Sequence, residues 1–194
     1  MRGKLYTLYL VVLLVSLPVG CAKDPFSLRD AENPKDEGGT YITPVDPMIA
    51  AENLRFAVVE RNIGHYVQTY ADSLVYLFDF LLVDRPDPVH GWGASEESRI
   101  ARNVFDAADS VSLVWSQTPE RTDRFDDSTA VLYRTYSLAT FTVVTDTLAT
   151  EEFAGELILY LARNSLDLWW IVRWEDVHLD ADQQSWSDLK SRYL

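Results

Sequence analysis

The chain has 194 residues, of which 30 are Asp or Glu and 17 are Lys or Arg, so its formal net charge at pH 7 is -13. Such an acidic chain repels phosphate backbones, which argues against nucleic acid as a partner. The single cysteine excludes a disulfide framework. The length suits one domain with a sizeable core, together with a leader and a linker.

The first residues predict a signal peptide rather than part of a fold. Arg2 and Lys4 form a short basic start, and residues 5–17 are almost all apolar. This apolar run is shorter than the roughly 20 residues that a helix needs to cross a bilayer, and its length is typical of a secretory leader.

The leader ends at a cysteine, and this end resembles the lipobox of bacterial lipoproteins. Gly20 before Cys21 matches the pattern, whereas Pro18 stands where the family usually has Leu. The resemblance implies a signal peptide at 1–20 and a membrane anchor through lipid, such as palmitate, on Cys21. Because Ala22 is not the Asp of a retention signal, it also implies the periplasmic face of the outer membrane if the host is diderm. The alternative is plain secretion, with cleavage after Ala22.

Residues 21–44 predict a flexible tether, since they are polar, charged and rich in turn formers. A folded domain is expected over residues 45–194. Its first helix begins near Thr43–Pro44 or Asp46–Pro47 and runs to about Arg61, and Asn62 then caps a second helix through Tyr70.

The later part of the chain is mainly β-like, apart from a helix opened by Ser95 with two Glu residues in its first turn. Three helices before most of the strands predict an α+β fold, in which the helices pack on one face of a curved, mainly antiparallel sheet. Strands are expected at 74–80, 111–116, 130–145, 153–163 and 166–177, and a turn or short helix at 185–193.

Several packing motifs occur along the domain: Glu60–Arg61–Asn62, Tyr66, the aromatic strand at 76–80, the run Trp169–Trp170–Ile171–Val172–Arg173–Trp174 and the tail at 185–190. Together they resemble the nuclear-transport-factor-2-like superfamily, a cystatin-like cone, over about residues 46–179. The resemblance implies a sheet that curls around a pocket roofed by the helices, which either holds a small apolar ligand or is plugged. It also implies pairing through the outer face of the sheet as a route to a homodimer. A lipocalin-like barrel is the alternative fold, disfavoured by the early helices.

Asp79 is the candidate catalytic residue, because it lies between Phe78 and Phe80 in an apolar strand. In a dry pocket its pKa would rise and it could serve as a general base. Alternatively, it faces water or pairs with Arg134 or Arg173. The predicted lining of the pocket is Tyr70, Tyr76, Phe78, Trp115, Tyr133, Trp170 and Arg173, although the aromatic residues could equally fill the cone, and Arg173 could pair with Glu175 and Asp176 on the surface.

The three histidines have no metal-ligand spacing, so no metal or cofactor is expected. His65 is interpreted as solvent-facing, His90 as a loop residue and His178 as a residue at a strand edge. Three hypotheses about function remain open. One is a non-catalytic envelope lipoprotein that binds a small apolar ligand or a protein partner, and another is an isomerase, cyclase or hydrolase using Asp79. The last is a dimeric structural or assembly module.

Overall fold

The computed structural model describes residues 39–78, 91–180 and 182–194. The helices in these ranges are α1 (Pro47–Val59), α2 (Ile63–Gln68), α3 (Ala94–Ala107) and α4 (Trp186–Ser191). The strands are β1 (Tyr70–Phe78), β2 (Gly91–Gly93), β3 (Ser110–Gln117), β4 (Arg124–Phe125), β5 (Thr129–Val144), β6 (Thr147–Arg163) and β7 (Trp169–Val177).

The helix starts largely follow the predicted caps. The Asp46 carboxylate accepts a hydrogen bond from the Met48 amide at 2.7 Å, and the Asn62 side chain accepts one from the His65 amide at 3.0 Å. Each bond satisfies an amide that the first turn of a helix leaves unpaired. The third helix is capped by Gly93 rather than opened by Ser95, so the prediction placed its start slightly late.

The strands form one curved, unclosed sheet in the order β2-β1-β7-β6-β5-β3, with β4 added against β5. All pairings are antiparallel except that of β1 with β7. The predicted α+β class with a mainly antiparallel sheet is therefore confirmed, and the barrel alternative is wrong because the sheet does not close.

The core lies between the helices and the inner face of the sheet. The apolar stripe predicted on α3 is buried there, and α3 packs against β1 and α2. Each fully buried Leu or Ile stabilises the fold by about 1.5–3 kcal/mol relative to leaving it exposed. The fully buried apolar residues include Leu54, Ala57, Ile100, Leu132, Leu157, Leu159, Ile171 and Trp174.

Several element boundaries differ from the prediction, and the short strands β2 and β4 were not predicted. Tyr70 is the first residue of β1 rather than the last of a helix. Strand β6 begins at Thr147 instead of residue 153, because Thr145 and Asp146 make a two-residue turn with φ of 48° and 64°. Such turns usually contain Gly or Asn, so this sequence gave little sign of a tight hairpin.

Strand β7 contains a bulge that decides which residues enter the interior. On β6, Leu161 pairs with Ile171 and the adjacent Tyr160 pairs with Arg173. Val172 therefore has no partner of its own on β6 and is the extra residue of the bulge. The bulge shifts the alternation of the strand by one residue. As a result Ile171, Trp174 and Asp176 are all buried, whereas Arg173 between them is exposed.

No helix in the described ranges combines the length and the apolar character needed to cross a bilayer.

Candidate functional site

The last helix, α4, is inserted into the domain, and all six of its residues are buried. Ser185 and Asp188 form a reciprocal cap, in which the Asp188 carboxylate accepts from the Ser185 amide at 2.7 Å. The apolar pair Trp186 and Leu189 then lies on one face of the helix and packs into the core.

Helix α4 carries Lys190 into the interior, where its ammonium binds Glu97 of α3. The Lys190 Nζ atom lies 2.6 Å from Glu97 Oε1, and the two side chains are 1% and 0% exposed. Tyr66 donates its hydroxyl to the same oxygen, and the Trp92 indole donates to Glu97 Oε2 at 2.7 Å. Glu97 also lies in the first turn of α3, where the helix dipole favours a negative charge.

Two indole rings also lie close to the Lys190 ammonium. Its Nζ atom is 3.8 Å from the ring centroid of Trp174 on β7 and 5.0 Å from that of Trp186 on α4. The two indoles meet edge to face, with centroids 4.8 Å apart. A cation held over indole faces away from water gains about 2 kcal/mol from cation–π attraction.

Asp176 is a second buried carboxylate beneath α4. Its Oδ1 atom accepts from the Tyr136 hydroxyl at 2.8 Å, and its Oδ2 atom accepts from the Ser187 amide at 2.6 Å and the Ser187 hydroxyl at 2.5 Å. The Trp186 amide donates to the Tyr136 oxygen at 2.6 Å. The first turn of α4 therefore supplies the hydrogen bonds that this Tyr–Asp pair needs in a dry interior.

Burial shifts the ionisation of this cluster. Desolvation raises the pKa of Asp176, against the lowering effects of Ser187, Tyr136 and Lys190. It also lowers the pKa of Lys190, which Glu97 opposes. The pKa of Tyr136 is raised well above its ordinary value, mainly by burial and then by the charge of Asp176. Each shift disfavours the charged form of its group, as expected for a low-dielectric interior.

His178 holds the segment that leads into α4. Its Nε2 atom lies 2.6 Å from the Asp188 carboxylate, and the two side chains are 8% and 5% exposed. The prediction that His178 follows the last strand is correct, but it did not include the burial of the His178 side chain. His65, interpreted as solvent-facing, is half-buried and stacks against Tyr41 with centroids 5.3 Å apart.

Hydrogen bonds from the chain itself already occupy both carboxylates of the cluster. A separate cavity beside α4, lined by Leu189 and Tyr193 among others, has a volume of about 30 Å³. That cavity holds about one water molecule, far less than the pockets of about 300–1,000 Å³ that hold small-molecule ligands.

Two of the predicted lining residues lie on the inner side of the sheet. Tyr70 is buried with its ring centroid 5.7 Å from that of Tyr66. Trp115 is half-buried, and its indole donates to Glu52 of α1 at 3.0 Å.

Three other predicted lining residues are on the outer face, which corrects the prediction. Arg173 lies over the Tyr160 ring at 5.0 Å and forms an exposed ion pair with Glu175. Trp170 is 36% exposed. Tyr133 packs beneath Arg121, whose guanidinium is 5.2 Å from the ring centroid.

The proposed ion pairs around these strands are partly corrected as well. The surface pair of Arg173 with Glu175 is confirmed, but Asp176, interpreted as part of that exposed set, is 2% exposed. The bulge at Val172 is the physical reason, since it turns Asp176 inward. Arg134, suggested as a partner of Asp79, is buried and pairs with Asp123 at 2.8 Å.

Several predicted residues lie outside what the structure describes. Cys21, Asp79 and His90 fall in the ranges that are not described. Tyr76 and Phe78 are described as backbone positions of β1, in register with Trp174 and Asp176 of β7, and their side chains are not described.

Sequence reasoning missed the residues that make the interior cluster. Glu97 was noted only for its favourable position in a helix, and Lys190 only as part of a packing motif, because charged residues usually face water. The sequence of the tail contains the signal that could have revealed this cluster. Ser185 and Asp188 have the spacing of a helix capping box, and Trp186 and Leu189 lie on one face of the helix that they predict. A short capped helix with such a face indicates burial, and Lys190, four residues after Trp186, lies on that same face.

No group of three or more His, Cys, Asp or Glu side chains that could hold a metal occurs within the described ranges.

Comparisons with known proteins show the fold. No protein-family model and no curated protein matches the chain. The protein Kfla4162 from Kribbella flavida is 12% identical, with 74% of this chain and 93% of that chain covered and a TM-score of 0.57. A candidate dehydratase of the nuclear-transport-factor-2-like family from Streptomyces avermitilis is 13% identical over 69% and 94% of the two chains, with a TM-score of 0.53. A nuclear-transport-factor-2-like superfamily protein from Salmonella enterica is 12% identical over 66% and 85%, with a TM-score of 0.52.

These similarities confirm that the domain has the nuclear-transport-factor-2-like fold. At such low identities they carry no activity from those proteins to this chain.

Proposed function

We propose that this chain, whose domain has the nuclear-transport-factor-2-like fold, is a lipid-anchored protein of the cell envelope that acts by binding a partner rather than by catalysis. The observation that carries the proposal is the position of α4. Its buried Trp186 and Lys190 occupy the interior between α3 and β7, where this type of fold can hold a ligand.

The bonding of the interior acids supports binding rather than catalysis. A general acid or base must come within hydrogen-bond reach of the substrate. Asp176 instead accepts from Tyr136 and Ser187, and Glu97 accepts from Tyr66, Trp92 and Lys190. The alternative is an isomerase, cyclase or hydrolase that uses Asp79, which lies outside the described residues.

The leader that ends at Gly20–Cys21 supports the anchoring part of the proposal, and the described domain begins downstream of it. The Thr40 amide donates to both carboxylate oxygens of Glu60, at 2.9 Å and 2.8 Å, which fixes the chain where it enters the fold. A tether would then join this point to lipid on Cys21. In a diderm host we place the protein on the periplasmic face of the outer membrane, with a protein or a small apolar molecule as its partner. A homodimer is the alternative assembly.

Expression of the full chain with its own leader in a diderm host tests the anchor. We expect the protein in the membrane fraction and an N-terminal peptide whose mass carries acyl chains on Cys21. The Cys21→Ser variant is the matched control and should appear in the soluble periplasmic fraction. Wild-type protein cleaved after Ala22 and recovered without lipid would contradict the proposal.

Native mass spectrometry and hydrogen exchange of the same protein test the filled interior. We expect strongly protected amides in α4 and a mass that corresponds to the polypeptide with its lipid alone. Exchange of α4 at the rate of an unfolded segment would contradict the proposal. A co-purified small molecule that the protein converts on incubation would contradict it too.

A further inference from the structure

The Lys190 ammonium lies in a cage made of one carboxylate and two indole rings. Glu97 binds it at 2.6 Å, the Trp174 ring centroid is 3.8 Å away, and the Trp186 ring centroid is 5.0 Å away. We call these three side chains the ammonium cage. The carboxylate supplies the countercharge and the indole faces supply cation–π attraction, which together are the chemistry that recognises an alkylammonium group.

Most of the ammonium cage is fixed without α4. Glu97 belongs to α3, and its hydrogen bonds from Tyr66 and Trp92 come from residues outside α4. Trp174 belongs to β7, which pairs with neighbours on both sides. A site on rigid elements with its own supporting hydrogen bonds is preorganised for a ligand.

Lysine is a costly residue for merely filling space at this position. Burying an ion pair incurs a desolvation penalty that the attraction often fails to offset, and apolar residues of similar volume stabilise an interior equally well or better. Since Lys190 is 1% exposed, that penalty applies nearly in full. A cation inside the cone is therefore better explained by recognition than by packing.

We propose that the interior of the cone is a binding site for an alkylammonium group, which Lys190 occupies in the free protein and which a cationic amine takes when α4 is released. This inference rests on the proposed binding function and names the chemistry of the ligand. Release of α4 also removes the Trp186 and Ser187 donors from Tyr136 and Asp176. A ligand that carries a second hydrogen-bond donor beyond its ammonium group would satisfy that pair.

The first arm of the test uses the Lys190→Ala variant of the mature chain, residues 21–194, with n-butylammonium chloride as the probe. The variant should be less stable than wild type, and the probe should raise its Tm by about 4 °C at tenfold its Kd, because ligand binding stabilises the folded state. The uncharged n-butanol at equal concentration is the control and should give no comparable rise. Lys190→Met fills the space with an apolar chain that the probe must displace, so the probe should raise its Tm less than that of Lys190→Ala.

The second arm uses the wild-type mature chain and hydrogen exchange. Added n-butylammonium should increase amide exchange in α4 while the first turn of α3 stays protected. Sodium chloride at the same ionic strength should not. This arm decides the proposal if Lys190→Ala does not fold under any condition.

The proposal is overturned if n-butanol rescues Lys190→Ala as well as the amine does, or if exchange in α4 is unchanged at amine concentrations that saturate the variant. Neither result affects the lipid on Cys21 or the protection of α4 without ligand, so failure of this inference is distinguishable from failure of the proposed function.

Discussion

Tyr136 on β5 lies directly over Gly155, its cross-strand partner on β6, and it reaches Asp176 because Gly155 has no side chain. A Cβ atom on Gly155 would lie 2.7 Å from the Tyr136 hydroxyl oxygen and 2.8 Å from the Val177 carbonyl oxygen. The hydrogen bond between Tyr136 and Asp176 therefore depends on a glycine two strand positions before Leu157 of the core.

Substitution of this glycine should disturb the interior cluster. We expect Gly155→Ala to cost about 1–3 kcal/mol of unfolding free energy, measured in urea, because overpacking displaces Tyr136 and the backbone of β7. Gly93→Ala is the control, since among the described residues its new methyl group would meet only the Leu74 carbonyl oxygen, at an ordinary 3.7 Å. Equal losses for the two variants would contradict the role of the close approach.

The effects of substituting Lys190 and Glu97 on the free energy of unfolding should be strongly non-additive. Lys190→Met leaves a buried carboxylate without its cation and should cost about 3–5 kcal/mol of unfolding free energy. The double variant with Glu97→Gln should recover most of that loss, because an amide needs no countercharge. Urea unfolding of the four proteins gives the coupling free energy. The exposed pair Glu96–Arg99 is the control, and its removal should be close to neutral. Additive effects at Lys190 and Glu97 would argue against a paired, buried charge.

Asp176 should make stability fall as the pH rises. Burial raises its pKa in the folded state above the ordinary value of about 3.8. Between that value and the raised pKa the folded state holds more protons than the unfolded state, so the free energy of unfolding decreases with pH. Asp176→Asn lacks this titration.

The difference in unfolding free energy between wild type and Asp176→Asn, measured from pH 3.5 upward, isolates the effect. Wild type should lose stability relative to the variant across this window. A difference that stays constant with pH would show that the carboxyl titrates at its ordinary pKa.

Two buried tyrosines should resist ionisation. Burial raises the pKa of Tyr70 above the ordinary value of 10.0, and the charge of Glu97 contributes to this rise. Burial also raises the pKa of Tyr136 well above 10.0. Above pH 10 the unfolded chain loses these protons while the folded chain keeps them, so the free energy of unfolding should fall as the pH rises.

Ultraviolet absorbance at 295 nm measures this directly. Tyr70 and Tyr136 should ionise only together with alkaline unfolding, whereas exposed phenols ionise earlier. Tyr70→Phe and Tyr136→Phe should each remove one phenol from the late step. Ionisation of every phenol near pH 10 with the fold intact would contradict the buried positions.

The helices and the order of the strands could be predicted because they depend on local chemistry. Asp46 and Asn62 mark helix starts by their capping side chains, and the apolar stripe of α3 has helical spacing. The two-residue turn at Thr145–Asp146 lacks the usual residues for positive φ, so the full length of β6 was missed.

The candidate site was harder to predict because it joins residues that are distant in the sequence. Tyr66, Glu97 and Lys190 meet only in the folded chain, and no local pattern relates them. The burial of Asp176 and the outward position of Arg173, a predicted lining residue, both follow from the bulge in β7, which depends on the neighbouring strand as well as on the strand's own residues.

The distance in sequence between Glu97 and Lys190 also sets an order of events in the synthesis of the protein. Ninety-three residues separate the two ends of this ion pair, so α3 and the first strands leave the ribosome long before the cation that neutralises Glu97. Until Lys190 arrives, Glu97 must stay hydrated or remain as an unpaired charge in a forming core. Contacts of such long range are made late, after the entropy of closing the loop has been overcome. Chains cut before Lys190 should therefore collapse without becoming native, and quality-control proteases would recognise them by the exposed interior of the cone.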